Sequence, residues 1–232
     1  MPNSEAALGG VPWVVHRSRR RSIGLRVDAQ GLQVRAPHAV SQAYLESVLR
    51  ARWAWVEHKW QEARQRAHAL ESLRLKGVPG ETLLYRGEPV LLVQGAGKVP
   101  RWVEGAPSQL HLPGPPGESW TRMARKWLQD QARAALQACV QDHTQRLGLP
   151  APAIRLSNAK GRWGSASSRG TLSLHWRLIQ LRPHLLRHVV AHEVAHLREM
   201  NHSPRFWSWV AVLDPDYRAS RAELKQVQLP PW

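Results

Sequence analysis

The chain has almost no cysteine, since Cys139 is the single one among 232 residues. One thiol cannot form an intrachain disulfide, so nothing in the sequence indicates an oxidising compartment. Long apolar runs are also missing, because no segment approaches the roughly 18 apolar residues that span a bilayer. The N-terminus has no basic patch that leads into an apolar stretch, as a secretory leader would. We therefore expect a soluble, cytoplasmic protein without a membrane partner.

Acidic residues are scarce as well. Asp and Glu number 17 against 33 Lys and Arg, which gives a formal net charge of +16. This balance suits a polyanionic partner, either nucleic acid or a phosphorylated substrate. Most of the basic residues are scattered, however, and the only dense run extends from Arg17 to Arg21. Scattered charge is typical of solvated faces, so nucleic acid is the weaker candidate partner.

The apolar periodicity indicates how the chain is organised. Short alternating runs in the first half predict strands, and an amphipathic pattern predicts one long helix over 41–70. The Pro- and Gly-rich stretch 113–117 cannot hold a regular element. We therefore expect a β-rich region with the long helix at 1–117, followed by a second domain at 118–232.

A metal-binding pattern lies near the C-terminus. Residues 189–202 read VVAHEVAHLREMNH, which is an HExxH sequence followed by a third histidine. Positions four apart lie on one helix face, so His192 and His196 can chelate one ion. Glu193 lies about 100° round the helix from His192, where it can approach a metal-bound water as a general base. A chance match is the competing explanation, and the third histidine reduces its weight.

The third ligand has to come from outside this helix. Glu199 is excluded, because seven residues at about 1.5 Å each place it about 10 Å along the axis from His192. His202 precedes Ser203-Pro204, which is typical of an N-cap and first-turn proline. We therefore expect His202 in the bend between two helices. Three histidines that leave one position open are typical of catalytic zinc, so we expect one zinc ion as cofactor.

Two further histidines continue the four-residue spacing upstream. His188 and His192 form a second potential chelating pair, but this pair lacks a well-placed glutamate. We interpret His184 and His188 as exposed or supporting residues rather than metal ligands.

The order of elements after residue 117 predicts the fold class. A long helix, a small antiparallel sheet, the HExxH helix and further helices follow one another along the chain. This order indicates an α+β protein, with a strand-rich N-terminal region followed by a zincin-like catalytic domain.

Four segments support a more specific assignment. They read NAKGRWGS at 158–165, GTLSLHWRL at 170–178, VVAHEVAHL at 189–197 and NHSPRFW at 201–207. In order and spacing the chain resembles the YgjP-like metal-dependent hydrolases, which are relatives of the SprT-like and WLM zinc proteases. The resemblance implies a zincin-type domain in which His192, His196 and His202 bind zinc and Glu193 is catalytic.

The resemblance also concerns the strand around Trp163, Gly164 and Ser165. It implies that this strand lies beside the cleft, where its backbone pairs with an extended substrate. From the residues alone, Tyr217 or Arg218 is a candidate oxyanion stabiliser if the last turn folds over the cleft, and Tyr217 is a packing residue otherwise. His175 occupies a place where the family pattern is expected to have asparagine.

Three functions remain open at the level of sequence. The leading one is a zinc metallopeptidase that acts on peptides or proteins. The same activated water can attack a phosphoanhydride, so a nucleotide triphosphate pyrophosphatase is the alternative, although no Walker-type loop or paired acidic magnesium site is present. A nucleic-acid-associated protein with structural zinc is the third, and it is disfavoured because structural sites close four ligands.

Overall fold

The computed structural model describes residues 4–8, 10–159 and 161–232. Residues 1–3, residue 9 and Lys160 of the NAKGRWGS segment lie outside the described residues. The chain divides into two compact units, residues 1–74 with 229–232 and residues 75–228. Both units combine helices with small sheets, so the predicted α+β class is confirmed. Among the described residues, no helix is long and apolar enough to cross a lipid bilayer.

The first unit consists of a four-stranded sheet and two helices. Its elements are β1 (Ser4–Leu8), β2 (Val11–Ser18), β3 (Gly24–Asp28), β4 (Gly31–Pro37), α1 (Gln42–Ala51) and α2 (Trp53–Ser72). The strand order is β1-β2-β4-β3, in which β3 and β4 form an antiparallel hairpin and β2 runs parallel to β4. Alternate strand residues and residues of both helices form its core: Val11, Trp13, Leu32, Val34, Ala36, Leu45, Leu49 and Val56.

The predicted single helix over 41–70 is two helices, α1 and α2, separated at Arg52. Ser41 caps the first of them, because its Oγ accepts the Tyr44 N–H at 3.3 Å. The Arg52 N–H donates to the Leu49 carbonyl, three residues back, which tightens the last turn and interrupts the helical path. The sequence at the break, Ala51-Arg52-Trp53, contains no proline or glycine that signals an interruption.

Among its described residues, the second unit contains two sheets, four α-helices and one 3-10 helix, Trp176–Gln180. Its strands are β5 (Thr82–Tyr85), β6 (Glu88–Gln94), β7 (Arg101–Val103), β8 (Ser108–Leu112), β9 (Ala153–Ser157), β10 (Gly164–Ala166) and β11 (Thr171–His175). Its helices are α3 (Glu118–Arg146), α4 (Pro183–Ala195), α5 (Pro204–Leu213) and α6 (Tyr217–Leu224). The first sheet has the order β5-β6-β8-β7, and α3 packs against both α4 and β8.

The division between the units falls after Arg74, whereas the sequence predicts it at 113–117. The Gly117 N–H donates to the Gly77 carbonyl at 2.7 Å, which connects the start of α3 to the segment before β5. The Trp127 ring on α3 also stacks on Trp102 of β7, with the ring centroids 5.5 Å apart. The Pro- and Gly-rich stretch therefore joins two parts of one packed unit.

The small sheet beside α4 is mixed, and the prediction of an antiparallel sheet is wrong for one strand pair. Its order is β10-β11-β9, in which β10 pairs antiparallel with β11 and β9 pairs parallel with β11. The reason is that β9 and β10 lie on opposite sides of β11 and are not hydrogen-bonded neighbours. This order places β10 at the edge of the sheet that contacts α4.

Candidate metal centre and active site

Helix α4 presents the first half of the metal motif. Pro183 occupies the first turn, where a missing N–H costs nothing, and the helix continues through His192 and Glu193 to Ala195. His196 is the C-cap residue, yet its backbone stays helical with φ −64° and ψ −21°. His192 and His196 therefore keep the one-face relationship of positions four apart, with ring centroids 5.0 Å apart.

His202 lies in the bend between α4 and α5, where the sequence predicts it. The bend is fixed by local hydrogen bonds: the Ser203 N–H donates to the Asn201 side-chain oxygen at 3.0 Å. The Ser203 Oγ accepts the Phe206 N–H at 3.3 Å, which is the N-cap bond that starts α5 at Pro204. The short segment between the two helices thus returns His202 to the motif.

The three histidines form one cluster. Their potential ligand nitrogens all lie within 4.8 Å of one another, and among the described residues this is the one such group of His, Cys, Asp and Glu. The His202 Nε2 and His192 Nε2 atoms are 3.1 Å apart. Two nitrogens that each lie about 2.0–2.1 Å from a tetrahedral zinc are about 3.3–3.4 Å apart. The donor set and its spacing therefore fit a zinc ion.

The surroundings orient the rings. The His196 Nδ1 lies 3.1 Å from the Glu199 main-chain carbonyl, a hydrogen bond that requires Nδ1–H and leaves Nε2 as the lone-pair donor. Phe206 packs under the cluster, with its ring centroid 4.9 Å from His192, 4.5 Å from His196 and 4.7 Å from His202. Glu199 thus contributes through its backbone, which agrees with its exclusion as a ligand.

Burial favours the neutral form of His192 and His196. It lowers the pKa of His192 to about 3, with smaller effects from the charges of His196 and His202. Burial also lowers the pKa of His196, against the opposing effect of its hydrogen bond to the Glu199 carbonyl. A neutral imidazole has a free lone pair, which is the form that binds metal ions.

Glu193 is a buried carboxyl group beside the cluster, with 6% of its surface exposed. Burial raises its pKa to about 7, while the charge of Arg162 and the Ala166 backbone N–H act in the opposite direction. Gly164 allows this position, because a Cβ there would lie 2.6 Å from both Cγ and Oε1 of Glu193. Glycine at 164 is thus required by close approach and not by an unusual backbone angle.

The strand that the sequence predicts beside the cleft is β10, preceded by Trp163. It lies at the sheet edge, and Gly164 and Ser165 pair with Leu174 and Ser173 of β11. Edge strands present backbone groups that can pair with an extended peptide. The unexpected His175 supports this region, because its ring packs edge-on against Trp163 with centroids 5.6 Å apart.

Tyr217 lies against the aromatic residues of α5. Its ring stacks on Trp207 with centroids 5.3 Å apart and an interplanar angle of 21°, and the Arg218 Cζ lies 4.9 Å from the Tyr217 ring centroid in a cation–π contact. In this conformation Tyr217 packs against α5, and its role as an oxyanion stabiliser stays a prediction.

A pocket of about 370 Å³ opens beside the cluster. Its walls come from the β10 region, α4 and α6: Trp163, Gly164, His188, Val189, His192, Glu193, Arg221, Leu224 and Lys225. Sequence reasoning missed Arg221 and Lys225. The only local signal is their four-residue spacing, which places both side chains on one face of α6.

His184 and His188 stand apart from the three-histidine cluster. The His184 Nε2 lies 2.8 Å from a Glu223 carboxylate oxygen. His188 is buried in the pocket wall, and its Nδ1 lies 2.8 Å from a carboxylate oxygen of Asp214. The Asp214 contact connects α4 to the end of α5.

The site residues lie within a stretch of the chain that matches a known protein family. A family model described as "YgjP-like, metallopeptidase domain" matches residues 21–227. The chain belongs to the YgjP-like metallopeptidase family. This confirms the resemblance seen in the sequence, and a YgjP-like metallopeptidase is a hydrolase. The YgjP-like match spans both compact units.

Two other comparisons add little to the YgjP-like assignment. No curated protein matches the chain. Among solved structures, the metallopeptidase zymogen abylysin of Pyrococcus abyssi is 22% identical, with a TM-score of 0.36, and the match covers 41% of this chain and 99% of that chain. A TM-score this low carries no argument about the fold.

Proposed function

We propose that this YgjP-like protein is a zinc-dependent peptidase in which His192, His196 and His202 hold a single zinc ion and Glu193 is the catalytic acid–base. The observation that carries the proposal is the convergence of three imidazoles beside one buried carboxyl group. Structural zinc sites close four protein ligands, whereas three ligands leave a position open for chemistry.

Each residue has a defined task. Zinc, when bound, supplies a Lewis acid that polarises the attacked carbonyl and acidifies a water molecule. The Glu193 carboxylate accepts a proton from the attacking water and delivers it to the nitrogen of the leaving amine. In the metal-free protein, burial favours the protonated form of Glu193, whereas the charge of Arg162 and the Ala166 N–H favour the charged form. His196 stays oriented through its bond to the Glu199 carbonyl.

The substrate is a peptide in extended conformation along β10. Backbone groups of Gly164 and Ser165 lie on the edge strand that contacts α4, so a peptide added there passes Glu193. Trp163 supplies an apolar surface in the same wall of the pocket. Tyr217 remains the candidate for the oxyanion, although its stack on Trp207 requires a rearrangement for that task. The cytoplasmic location and the wider kinship to SprT-like and WLM proteases remain predictions.

The nucleotide alternative has one observation in its favour. Arg221 and Lys225 line the pocket, and cationic side chains suit a triphosphate as well as a carboxylate. The edge strand beside Glu193 has no role in phosphoanhydride cleavage, so we place the peptidase first. The third candidate function, nucleic-acid binding by a protein with a structural zinc, gives no role to the buried carboxyl group of Glu193, so it ranks last.

The test compares three substrate classes in parallel, namely a denatured protein, unstructured peptides and ATP. Zinc-loaded wild-type protein is assayed beside Glu193→Gln, with Glu104→Gln as a control that makes the same chemical change at an exposed site. We expect cleavage of peptide bonds that is lost in Glu193→Gln and retained in Glu104→Gln. Cleavage of ATP alone would replace the peptidase with the nucleotide alternative, and full activity of Glu193→Gln would refute the role of Glu193.

A further inference from the structure

The pocket beside Glu193 has a cationic wall. Helix α6 contributes Arg221 and Leu224, and its C-cap residue contributes Lys225; the spacing of three and four residues from Arg221 places them on one helix face. Glu193 is the only acidic side chain among the described lining residues. A substrate that enters this pocket therefore meets two cationic side chains besides the Glu193 carboxyl group.

The protein does not neutralise these two cations. The acidic residue of α6 is Glu223, and it is engaged on another side of the helix, 2.8 Å from His184 Nε2 and 3.4 Å from Arg182 Nη1. In the part of the chain that the structure describes, no carboxylate forms an ion pair with Arg221 or Lys225. Unlike Arg182, these two cations remain available to an anionic ligand.

Arg221 is held in place by an aromatic ring. Its Cζ lies 4.9 Å from the centroid of the Trp207 ring, a cation–π contact. The same ring lies 5.8 Å from the centroid of His192 and 6.0 Å from that of His202. The position of Arg221 is thus tied to the metal cluster, and less side-chain freedom is lost when it binds a ligand.

The remaining walls suit a short apolar stem. Val189 and Leu224 line the pocket together with the ring of Trp163. The volume of about 370 Å³ is near the lower end of the range for ligand sites, roughly 300–1,000 Å³. An acidic side chain combines such a stem with a terminal carboxylate.

We propose that this pocket binds a carboxylate of the substrate through Arg221 and Lys225, so that the preferred substrates are peptides with an acidic group close to the scissile bond. The inference rests on the proposed peptidase function and adds its substrate class. The guanidinium of Arg221 offers paired N–H donors that match a carboxylate, and Lys225 adds a second charge. The carboxylate comes either from an Asp or Glu side chain or from the C-terminus of the peptide.

The test needs a control for the positive net charge of the whole chain. With 33 basic against 17 acidic residues, any acidic peptide is attracted to this protein without a specific site. Arg155 provides the matched position, because it is exposed on β9, at the edge of the small sheet opposite β10. Arg155→Glu and Arg221→Glu change the net charge equally, so only a local effect distinguishes them.

The experiment measures binding by calorimetry, separately from cleavage, with the zinc-loaded Glu193→Gln protein. The probes are hexapeptides with blocked ends that carry one Glu, moved through every position, and matched series with Gln or Lys. A Gln peptide with a free C-terminus separates the terminal carboxylate from the side chain. We expect one Glu position to bind about tenfold more tightly than its Gln counterpart, and less so at high salt, because charge-assisted bonds of this size are screened.

Variants then locate the preference. Arg221→Gln should abolish the tenfold difference, Arg221→Glu should favour the Lys peptide, and Arg221→Lys should retain most of the wild-type preference. Arg155→Glu should leave it intact. Unchanged zinc content and circular dichroism show that a variant is folded, and Lys225→Gln provides a second test with an expected partial loss if an Arg221 variant fails this check.

The outcomes separate the inference from the proposed function. Equal affinity for Glu and Gln peptides at every position overturns the inference. A preference for the Glu peptide that is lost equally in Arg155→Glu and in Arg221→Glu also overturns it, because the preference then depends on net charge and not on the pocket. Tight, Arg221-dependent binding of ATP without binding of any peptide overturns it in favour of a phosphate ligand. A carboxylate preference in binding without cleavage of any peptide supports the inference and counts against the peptidase function alone.

Discussion

The side chain of Glu193 lies against Gly164 and fills the space that a Cβ at this position would occupy. Because a Cβ at 164 would lie 2.6 Å from Glu193 Cγ, Gly164→Ala has to displace the carboxylate. We expect kcat for peptide cleavage to fall by about one to two orders of magnitude, since small displacements of a catalytic group have effects of this size. Zinc content should stay unchanged, because the atoms nearest to this Cβ belong to Glu193 and not to a histidine.

Gly161→Ala is the matched control in the same segment. A Cβ at 161 meets nothing within 4 Å. Wild-type kcat in Gly161→Ala together with a loss in Gly164→Ala identifies the displacement of Glu193 as the cause. Equal kcat in both variants would show that the position of the carboxylate is not critical.

The raised pKa of Glu193 predicts how pH affects the metal-free protein. Burial raises the folded-state pKa to about 7 from 4.5, so the folded chain binds the extra proton between these values. The stability that this proton provides is complete below pH 4.5 and is lost as pH rises through 7. Glutamine does not titrate, so Glu193→Gln avoids this loss. The free energy of unfolding of the variant, relative to that of the wild type, should therefore be higher at pH 8.5 than at pH 5.5, by about 2 kcal/mol.

Chemical denaturation in the presence of a chelator measures this difference. Glu104→Gln, at an exposed site, should show no pH-dependent gain. A gain of Glu193→Gln that is equal at both pH values would contradict the assignment of a buried, proton-binding carboxyl group.

At the scale of elements, the junction between α4 and α5 brings His202 to the cluster. Two serine caps in the chain make the same bond: Ser203 Oγ to the Phe206 N–H and Ser41 Oγ to the Tyr44 N–H, both at 3.3 Å. Loss of either cap should reduce stability by about 1 kcal/mol. Only Ser203→Ala should also weaken zinc binding, by several-fold, because α5 begins directly after His202.

Competition with a chromophoric chelator measures both zinc affinities. A similar loss of affinity in Ser203→Ala and Ser41→Ala would mean that general stability, and not the bend, controls the site. Wild-type affinity in both would mean that His202 does not need the cap.

Local signals account for the elements that the sequence predicts well. The four-residue spacing of His192 and His196 and the Ser203-Pro204 helix start depend on neighbouring residues only, and both are found in the structure. The parallel pairing of β9 with β11 depends on the path of the chain between them, and the break at Arg52 has no proline or glycine to announce it. Arg221 reaches the pocket because α6 packs on α4, which no local pattern specifies.

At the scale of the whole molecule, every residue of the candidate site lies in the unit of residues 75–228. The sequence alone favours a boundary at 113–117, because proline and glycine end regular structure but do not reveal which packed parts they connect. The stack of Trp102 on Trp127 and the bond from Gly117 to Gly77 extend across that stretch.

Two fragments test this organisation. Residues 75–228 should fold and bind zinc with the affinity of the full chain, because the sheet of β5–β8 and the face of α3 that it covers are both kept. Residues 118–232 should be much less stable, since Trp120 and Trp127 would lose the sheet that packs near them. Circular dichroism and zinc titration distinguish the two, and equal stability of both fragments would contradict the boundary after Arg74.

The most direct test of the central claim is a zinc titration of the full chain combined with X-ray absorption spectroscopy of the bound metal. The three-histidine site predicts a single zinc ion per chain, with three imidazole nitrogens at about 2.0–2.1 Å and one further light-atom ligand. His202→Ala should lose one nitrogen ligand and much of the affinity, while His184→Ala should lose neither. Absence of tight zinc binding in the wild type, or an unchanged nitrogen shell in His202→Ala, would contradict the account.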